Sequence, residues 1–292
     1  MFQFLSQQAY NFEYFYLSLH RSNVLLTMRK FIIWGIMLVV SVLCVCGFYY
    51  FRWRHFWSEE PPISVYKVTH RDSDTIRVLV IGDSWAAMHS EQDSFLCDEI
   101  QKLISKPIKV VSRGKGGEKS RGIYHMLFDK DNLCVKSLIV SGVDYCVIFA
   151  GINDAASNLG VKQFCHHYKL ILDFLLENDI RPVVIEIPDV DIWHIYCNKS
   201  IKDLMADYLK SFMTRSEMYS IVAYRQALYK MLQENYYSGK VLYIPTSLWN
   251  GKDMTINPML FLPDKIHLNS DGYCKLDECI AFAIGKDYLH AR

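Results

Sequence analysis

The chain has 292 residues, enough for one large domain with an additional segment. Its 32 Lys and Arg residues balance 31 Asp and Glu residues, and this net charge of +1 excludes the strongly basic class of nucleic-acid-binding proteins. We therefore expect no nucleic acid partner. The hydrophobic fraction of 51% is slightly high, and one N-terminal stretch accounts for much of the excess.

The first predicted element is a transmembrane helix. Residues 31–51 read FIIWGIMLVVSVLCVCGFYYF, without a single charged side chain. About 20 such residues cross the hydrocarbon core of a bilayer. Arg29 and Lys30 precede this stretch, while Arg52 and Arg54 follow it, so the flanking charges do not fix its orientation.

The start of the apolar stretch is similar to a signal sequence. MRKFIIWGIMLVV, from Met28, has a charged start and an apolar body, and no small-residue cleavage site follows. We therefore expect an uncleaved, single-pass signal anchor with the following domain on the extracytoplasmic side. Residues 1–30 form a separate N-terminal segment. Its first 27 residues are either an interfacial segment or an extension upstream of a translation start at Met28.

Apolar strands and periodic helices alternate in residues 75–292, beyond a polar linker over residues 52–74. The predicted strands are Ile76–Ile81, Ile108–Val111, Tyr145–Ala150, Val183–Ile187 and Val241–Ile244, and the predicted helices cover 94–105, 122–128, 161–178, 200–235 and 269–284. This alternation predicts an α/β fold, a three-layer α/β/α sandwich around a central, mostly parallel five-stranded sheet. The stretch 197–232 is longer than one crossover helix needs, so we expect two helices that break near Thr214-Arg215-Ser216. They form either a helical hairpin on the sheet or a cap over the active site.

The nine cysteines do not form a recognisable framework. An odd number without CxxC spacing argues against a full set of disulfides and against a zinc site. We expect most of the seven beyond the apolar stretch to be small buried hydrophobic residues. This usage favours a reducing compartment, in conflict with the location that the anchor suggests.

The first predicted strand ends in polar residues. RVLVIGDSWAA, residues 77–87, runs from a buried strand into Gly82-Asp83-Ser84. Asp and Ser are good helix N-caps, which is one explanation of the pattern. The other is chemical, because α/β enzymes place reactive groups at the carboxyl ends of their parallel strands. Ser84 alone does not decide between the two.

Polar residues also follow the second and third strands. SRGKGGEKS carries Gly114, Gly116 and Gly117 into a helix, and such a turn either exposes backbone N–H groups to an anion or is merely flexible. FAGINDAAS places Gly151 and Asn153 at the sheet edge. The Asn153 amide either donates to a developing oxyanion or caps the next helix.

A fourth polar group lies near the C-terminus. LPDKIHLNSDGY contains Asp264 and His267, three residues apart. One turn can present both side chains, so that the carboxylate binds one imidazole nitrogen and the other nitrogen accepts a proton. A single DxxH is common by chance. The four groups together nevertheless supply the nucleophile, base, orienting acid and oxyanion donors of an acyl-transfer site.

In this order the four groups resemble the conserved blocks of the SGNH (GDSL) hydrolases. The blocks are Gly82-Asp83-Ser84, the GGEKS turn, Gly151-Ile152-Asn153-Asp154 and Asp264-Lys265-Ile266-His267, and the resemblance covers residues from about 76 to 285. It implies a flavodoxin-like fold. An α/β-hydrolase fits worse, because its nucleophile elbow needs Gly two residues after the serine, where this chain has Ala86.

The resemblance also implies a role for each site residue. Ser84 is the expected nucleophile, and its backbone N–H is one oxyanion donor. Gly117 is the expected second N–H donor, with Gly114 as the competing assignment, and Asn153 is the side-chain donor. His267 is the expected general base, and Asp264 fixes its tautomer. No cofactor and no metal are implied.

The implied function is a membrane-anchored carboxylic ester hydrolase. It would cleave small acyl esters, in particular O-acetyl groups on carbohydrate, through an acyl-serine intermediate, and Trp85 would narrow the acyl pocket. One alternative is an O-acyltransferase that passes the acyl group to a glycan from the same site. Another is a lipid esterase or thioesterase, favoured if residues 197–232 form an apolar lid. The third is a non-catalytic, membrane-tethered binding module.

Overall fold

The computed structural model describes residues 2–52, 66, 68, 74–128, 133–192, 199–234, 236–251 and 256–290. The chain divides into two compact units, Met1–Ser58 and Glu59–Arg292. Most of the predicted linker over 52–74 lies outside the described residues.

The first unit is built from one helix, α1, which covers Phe2–Arg52. Its part Val24–Phe48 is long and apolar enough to cross a membrane, by length and composition. The helix begins far upstream of the predicted span, because no Pro or Gly interrupts the sequence before Gly35. The candidate span also starts earlier than residue 31, since Arg29 and Lys30 are the only charges that separate Val24–Met28 from the uncharged stretch.

The second unit contains a five-stranded sheet with the order β2-β1-β3-β4-β5, in which all neighbouring strands are parallel. The strands are β1 (Ile76–Gly82), β2 (Ile108–Gly114), β3 (Tyr145–Phe149), β4 (Arg181–Ile185) and β5 (Leu242–Ile244). The central strands β1 and β3 are rich in Val and Ile and almost completely buried, as expected for strands covered on both faces. The predicted five-stranded parallel sheet is confirmed.

Helices cover both faces of this sheet. They are α2 (Ser84–His89), α3 (Asp93–Gln101), α4 (Ser120–Met126), α5 (Val135–Val140), α6 (Ile152–Ala156), α7 (Val161–Glu177), α8 (Ile201–Thr214), α9 (Ile221–Leu232) and α10 (Ser270–His290). Helix α3 packs against α10, while α4 and α9 pack against α7. Right-handed crossovers place these two groups on opposite faces, so the predicted three-layer sandwich is also confirmed.

The long helical stretch consists of two helices, as predicted. Helix α8 ends at Thr214, because Arg215 adopts the left-handed conformation and its N–H binds the carbonyl of Phe212. Helix α9 begins after Ser220, whose side chain accepts the N–H of Ala223. The short helices α2, α5 and α6 lie outside the predicted helical ranges, because none of them is long enough to show a helical period.

The expectation that most cysteines are buried is wrong for the described part of the domain. Only Cys146, on the central strand β3, is fully buried among the cysteines described there. The others lie on helix flanks or in a loop, where packing covers a side chain only in part: Cys97, Cys165, Cys274 and Cys279 are half-buried and Cys134 is exposed. Cys197 lies outside the described residues.

Candidate active site

The strand order creates a crevice at the carboxyl ends of β1 and β3. In the order β2-β1-β3, the chain leaves β1 and β3 toward opposite sides of the sheet, which makes their junction the topological switch point. Ser84 begins α2 directly after β1, and Asn153 lies in α6 directly after β3. The Asp83 carboxylate caps α2 by accepting the backbone N–H of Trp85 at 2.9 Å.

Ser84, His267 and Asp264 form one hydrogen-bonded chain. Nε2 of His267 lies 2.8 Å from Oγ of Ser84, and Nδ1 of His267 lies 2.6 Å from Oδ2 of Asp264. When Nδ1 donates its proton to the carboxylate, the lone pair on Nε2 is free to accept the serine proton. The His267 and Asp264 side chains are partly exposed, so this chain of groups is open to a substrate.

The carboxylate of Asp264 is held by its own turn. Its Oδ1 accepts the backbone N–H groups of Ile266 at 2.9 Å and His267 at 3.0 Å. Partial burial raises the pKa of Asp264, but the hydrogen bonds from the His267 side chain and from these N–H groups outweigh it and lower the pKa below its usual value. A backbone bridge between Phe261 and Leu268 closes the base of the loop. Asp264 therefore remains ionised and fixed in orientation beside the imidazole.

Trp85 connects the serine to the histidine loop. Its indole Nε1 donates to the carbonyl of Ile266 at 3.0 Å, so the residue after Ser84 is bonded to the residue before His267. The hydroxyl of Tyr273, on α10, donates to the carbonyl of Trp85 at 2.9 Å. The indole is buried and packs against the rings of Phe149 and Phe261. These contacts fix α2 relative to the loop.

The Asn153 amide is oriented by the residue before Ser84. Its Nδ2 donates to Oδ2 of Asp83 at 3.1 Å, which uses one of the two amide protons and leaves the other available to an oxyanion. Asp83 is buried, and this burial raises its pKa to about 7, although hydrogen bonds from Trp85 and Asn153 oppose the shift.

The glycine turn after β2 is tied to the end of β3. Asp154 accepts the hydroxyl of Ser120 at 2.6 Å and its backbone N–H at 3.0 Å. Burial raises the pKa of Asp154 to about 6 against the effect of these hydrogen bonds. The turn is therefore anchored at its end, where α4 begins.

The two competing glycines differ in their surroundings. A Cβ on Gly114 would lie 2.1 Å from the backbone nitrogen of Ala87, so the close packing of β2 on α2 requires glycine there. Gly117 has a φ of +73°, which favours glycine, and a Cβ there would meet no heavy atom within 4 Å. Packing therefore accounts for Gly114, while Gly117 lies in an open turn.

A buried polar network behind the site was missed by the sequence analysis. Nε2 of His89 lies 2.8 Å from Oδ1 of Asp277, and Nδ1 lies 2.8 Å from the hydroxyl of Ser112 and 3.3 Å from Oδ1 of Asp93. Burial of His89 favours the neutral imidazole, but the hydrogen bonds that its ring N–H groups donate to Asp277 and Asp93 outweigh burial and raise the pKa of His89 to about 9. The network joins α2, α3, β2 and α10. No motif pointed to it, because its members are up to 188 residues apart.

A pocket is lined by Asp83 and Trp85, the two residues that flank Ser84 in the sequence. Trp85 and Phe149 form one wall, Ile152 and Ile187 contribute further apolar side chains, and Pro188 lies in the loop after β4. The volume is about 240 Å³ with open solvent included. Since the hydrogen bond from Trp85 to the loop and the packing of its ring hold the indole in place, the pocket does not widen through this residue.

Comparisons with known proteins concern the fold. No protein-family profile and no curated protein sequence matches the chain. Similar solved structures include a GDSL-like lipase from Bacteroides thetaiotaomicron (17% identity, 72% of this chain and 88% of that chain, TM-score 0.46). A second is a variant of an acetyl-xylooligosaccharide esterase from Geobacillus (16% identity, 75% of this chain and 97% of that chain, TM-score 0.49). A third is an esterase from Pseudoalteromonas (15% identity, 73% of this chain and 98% of that chain, TM-score 0.47).

The three reported structures are all hydrolases, and their likeness to this chain concerns the fold. Of these solved structures, one is described as a GDSL-like lipase and two as esterases.

Proposed function

We propose that the protein is a membrane-anchored serine esterase with Ser84 as nucleophile, His267 as general base and Asp264 as the group that orients it. The observation that carries the proposal is the hydrogen-bonded chain from the Ser84 hydroxyl through His267 to Asp264. It lies at the carboxyl ends of the strands, where open α/β sheets bind their ligands.

The mechanism follows from the hydrogen bonds. Nε2 of His267 takes the hydroxyl proton of Ser84 while Oγ attacks the ester carbonyl. The resulting oxyanion accepts the N–H groups of Ser84 and Gly117 and the free amide proton of Asn153, and one such donor is typically worth about 3 kcal/mol. The imidazolium then gives its proton to the leaving alcohol, so an acyl-serine remains. Water, deprotonated by His267, attacks this ester and releases the acid.

The pocket lined by Asp83 and Trp85, the neighbours of Ser84 in the sequence, supports a small acyl group. Its walls include the fixed indole of Trp85 and the buried side chain of Ile187, which leave little room for a long chain. We therefore infer that acetyl esters are preferred over long-chain esters. The resemblance of the four sequence blocks to the SGNH hydrolases extends the proposal to O-acetyl groups on carbohydrate.

The esterase is tested with the full-length protein in mild detergent and p-nitrophenyl acetate. Ser84→Ala is expected to lower kcat by about 10⁴- to 10⁶-fold, because the nucleophile is lost. Ser90→Ala is the matched control, since this exposed serine ends the same helix and its hydroxyl donates to the carbonyl of Ala87. Equal turnover by the wild type and Ser84→Ala would end the esterase proposal.

The acyl preference is tested in the same assay with acetate, butyrate and octanoate esters. We expect kcat/KM to fall steadily with chain length, and a maximum at octanoate would contradict the short-acyl proposal. Addition of an oligosaccharide acceptor, followed by mass spectrometry of the sugar, distinguishes hydrolysis from acyl transfer.

The anchor is the remaining part of the proposal. The apolar part of α1 is of sufficient length to span a bilayer. We expect the full-length protein to resist carbonate extraction, and a topology reporter fused to the C-terminus to be active outside the cytoplasm. Complete release by carbonate would contradict the anchor, and an active cytoplasmic reporter would contradict the orientation.

A further inference from the structure

Helix α8 is amphipathic in the opposite sense to the other helices of the domain. Ordinary surface helices turn an apolar face to the core. Five large apolar side chains of α8 are instead 57–79% exposed: Ile201, Met205, Tyr208, Leu209 and Phe212. Since an α-helix has about 3.6 residues per turn, this spacing places the five side chains within an arc of about 100° on a single face of the helix. We call these five residues the outer face of α8.

The opposite side of α8 is polar and faces the domain. Asp207 is its one fully buried residue, and the carboxylate receives ion pairs from Lys199 and Lys210 and a hydrogen bond from the hydroxyl of Tyr219 at 2.9 Å. These charged partners lower the pKa of Asp207, although burial opposes the shift. These contacts of the buried carboxylate fix the rotation of α8 about its own axis. The apolar face of the helix therefore points away from the domain.

We propose that the outer face of α8 docks on a lipid bilayer. Contiguous exposed apolar surface marks an interaction site. Two aromatic residues, two aliphatic residues and Met on one face, with the exposed Lys202 at its edge, form the pattern of a helix that lies in the membrane interface. The long side chain of Lys202 can reach an anionic headgroup while the apolar side chains enter the acyl region.

The chain itself brings a bilayer close to this helix. The inference rests on the anchor proposed above, because α1 holds the domain on a membrane through residues 53–75. That segment spans at most about 80 Å when fully extended. A tethered domain meets the bilayer surface at high effective concentration, so even a weak apolar face is sufficient for docking.

The test uses the full-length protein reconstituted in vesicles of phosphatidylcholine and phosphatidylglycerol. The photocrosslinker p-benzoylphenylalanine replaces Tyr208 or Phe212, and mass spectrometry identifies the adducts after irradiation. Tyr229, an exposed tyrosine on α9, is the matched control position. We expect lipid adducts at 208 and 212 to exceed those at 229 several-fold.

Two further variants separate this inference from the anchor and from folding. The crosslinker at Leu38, within the apolar part of α1, reports whether that helix lies in the bilayer. Lipid adducts at 38 without an excess at 208 and 212 would overturn the docking while leaving the anchor intact. Met205→Glu combined with Leu209→Glu should abolish the adduct at 208 and leave acetate hydrolysis unchanged.

Other occupants of the outer face give other products. Adducts of twice the chain mass would show a second copy on this face, and an internal crosslink to α1 would show that the N-terminal helix covers it. Either product in place of lipid adducts overturns the proposal.

Discussion

Single side chains decide the chemistry of the site, and Asp264 is the clearest case. Its two oxygens have different tasks, since Oδ1 accepts two backbone N–H groups and Oδ2 accepts the imidazole N–H. Asp264→Asn can keep the first task by turning its amide oxygen to the backbone. Its NH₂ group then faces Nδ1 of His267 and favours the tautomer that carries the proton on Nε2, which cannot accept the proton of Ser84.

We expect Asp264→Asn to lower kcat by on the order of 10²-fold with little change in KM. The effect should be smaller than that of a fully buried acid, because Asp264 is partly exposed. Steady-state kinetics with p-nitrophenyl acetate measures it. Asp271→Asn, an exposed acid in the first turn of α10, serves as the control. An unchanged kcat would remove Asp264 from the mechanism.

Trp85 provides a second prediction at the residue scale. Trp85→Phe removes the hydrogen bond to the carbonyl of Ile266 but keeps an aromatic ring in the core. We expect kcat to fall roughly ten- to a hundredfold, since small displacements of reacting groups have effects of this size. Trp249→Phe is the control, because no hydrogen-bond partner of that indole lies within the described part of the chain. Equal effects of both substitutions would show that Trp85 acts through packing alone.

The sequence predicted these residues unequally. Ser84, Asn153, Asp264 and His267 were singled out because polar residues at strand ends and in an ordered series of short blocks carry a local signal. The hydrogen bond from Trp85 to Ile266 and the buried pair of His89 and Asp277 have no such local signal in the sequence. Both join positions more than 180 residues apart, and only the folded chain brings them together.

At the scale of elements, the network around His89 holds α2, the helix that begins with Ser84, in place. It connects the end of α2 to β2 and to α10, which begins just after the loop of His267. Buried, charged hydrogen bonds therefore join α2, which carries Ser84, to α10, which follows the loop of His267. Removal of one partner from such a network strongly destabilises the folded state, because it leaves an unpaired charge in the core.

We expect Asp277→Ala to lower the free energy of unfolding by about 3–5 kcal/mol, because it leaves the imidazolium of His89 without its buried partner. Glu278→Ala, at the next and exposed position of α10, should stay within about 0.5 kcal/mol of the wild type. Urea titration followed by tryptophan fluorescence measures both. Similar values for the two variants would mean that the pair contributes little.

Helices and strands were predicted best where a period or an apolar run extends over many residues. The five strands and the break between α8 and α9 follow from such patterns. The inverted orientation of α8 does not, because hydrophobic periodicity reports that a helix has an apolar face without reporting which way it points. The buried carboxylate of Asp207 decides that direction, through contacts with Lys199 and Tyr219 outside the helix.

At the scale of the whole molecule, several buried groups share one dependence on pH. The pKa is raised to about 7 for Asp83 and about 6 for Asp154, mainly by burial, and to about 9 for His89, where the hydrogen bonds donated to Asp277 and Asp93 outweigh burial. In each case the folded state holds its proton more tightly than the unfolded chain. The stability linked to each group is therefore complete below its ordinary pKa and is lost as pH rises through the raised value.

We expect the free energy of unfolding of the detergent-solubilised protein to decrease between about pH 5 and about pH 9. Denaturation midpoints at intermediate pH values measure this decrease. Asp83→Asn, which cannot ionise, should flatten the part of the curve up to about pH 7. A stability that rises over the same interval would contradict the raised pKa values.

The loop with Asp264 and His267 follows β5, the last of the five described strands, whereas Ser84 comes directly after β1, the first. During synthesis the proposed nucleophile therefore emerges long before its proposed base. On the proposed mechanism, a nascent chain lacks the proton acceptor until residue 267 has been translated, and a product truncated before residue 264 never acquires it. Esterase activity would therefore report that translation has passed this loop.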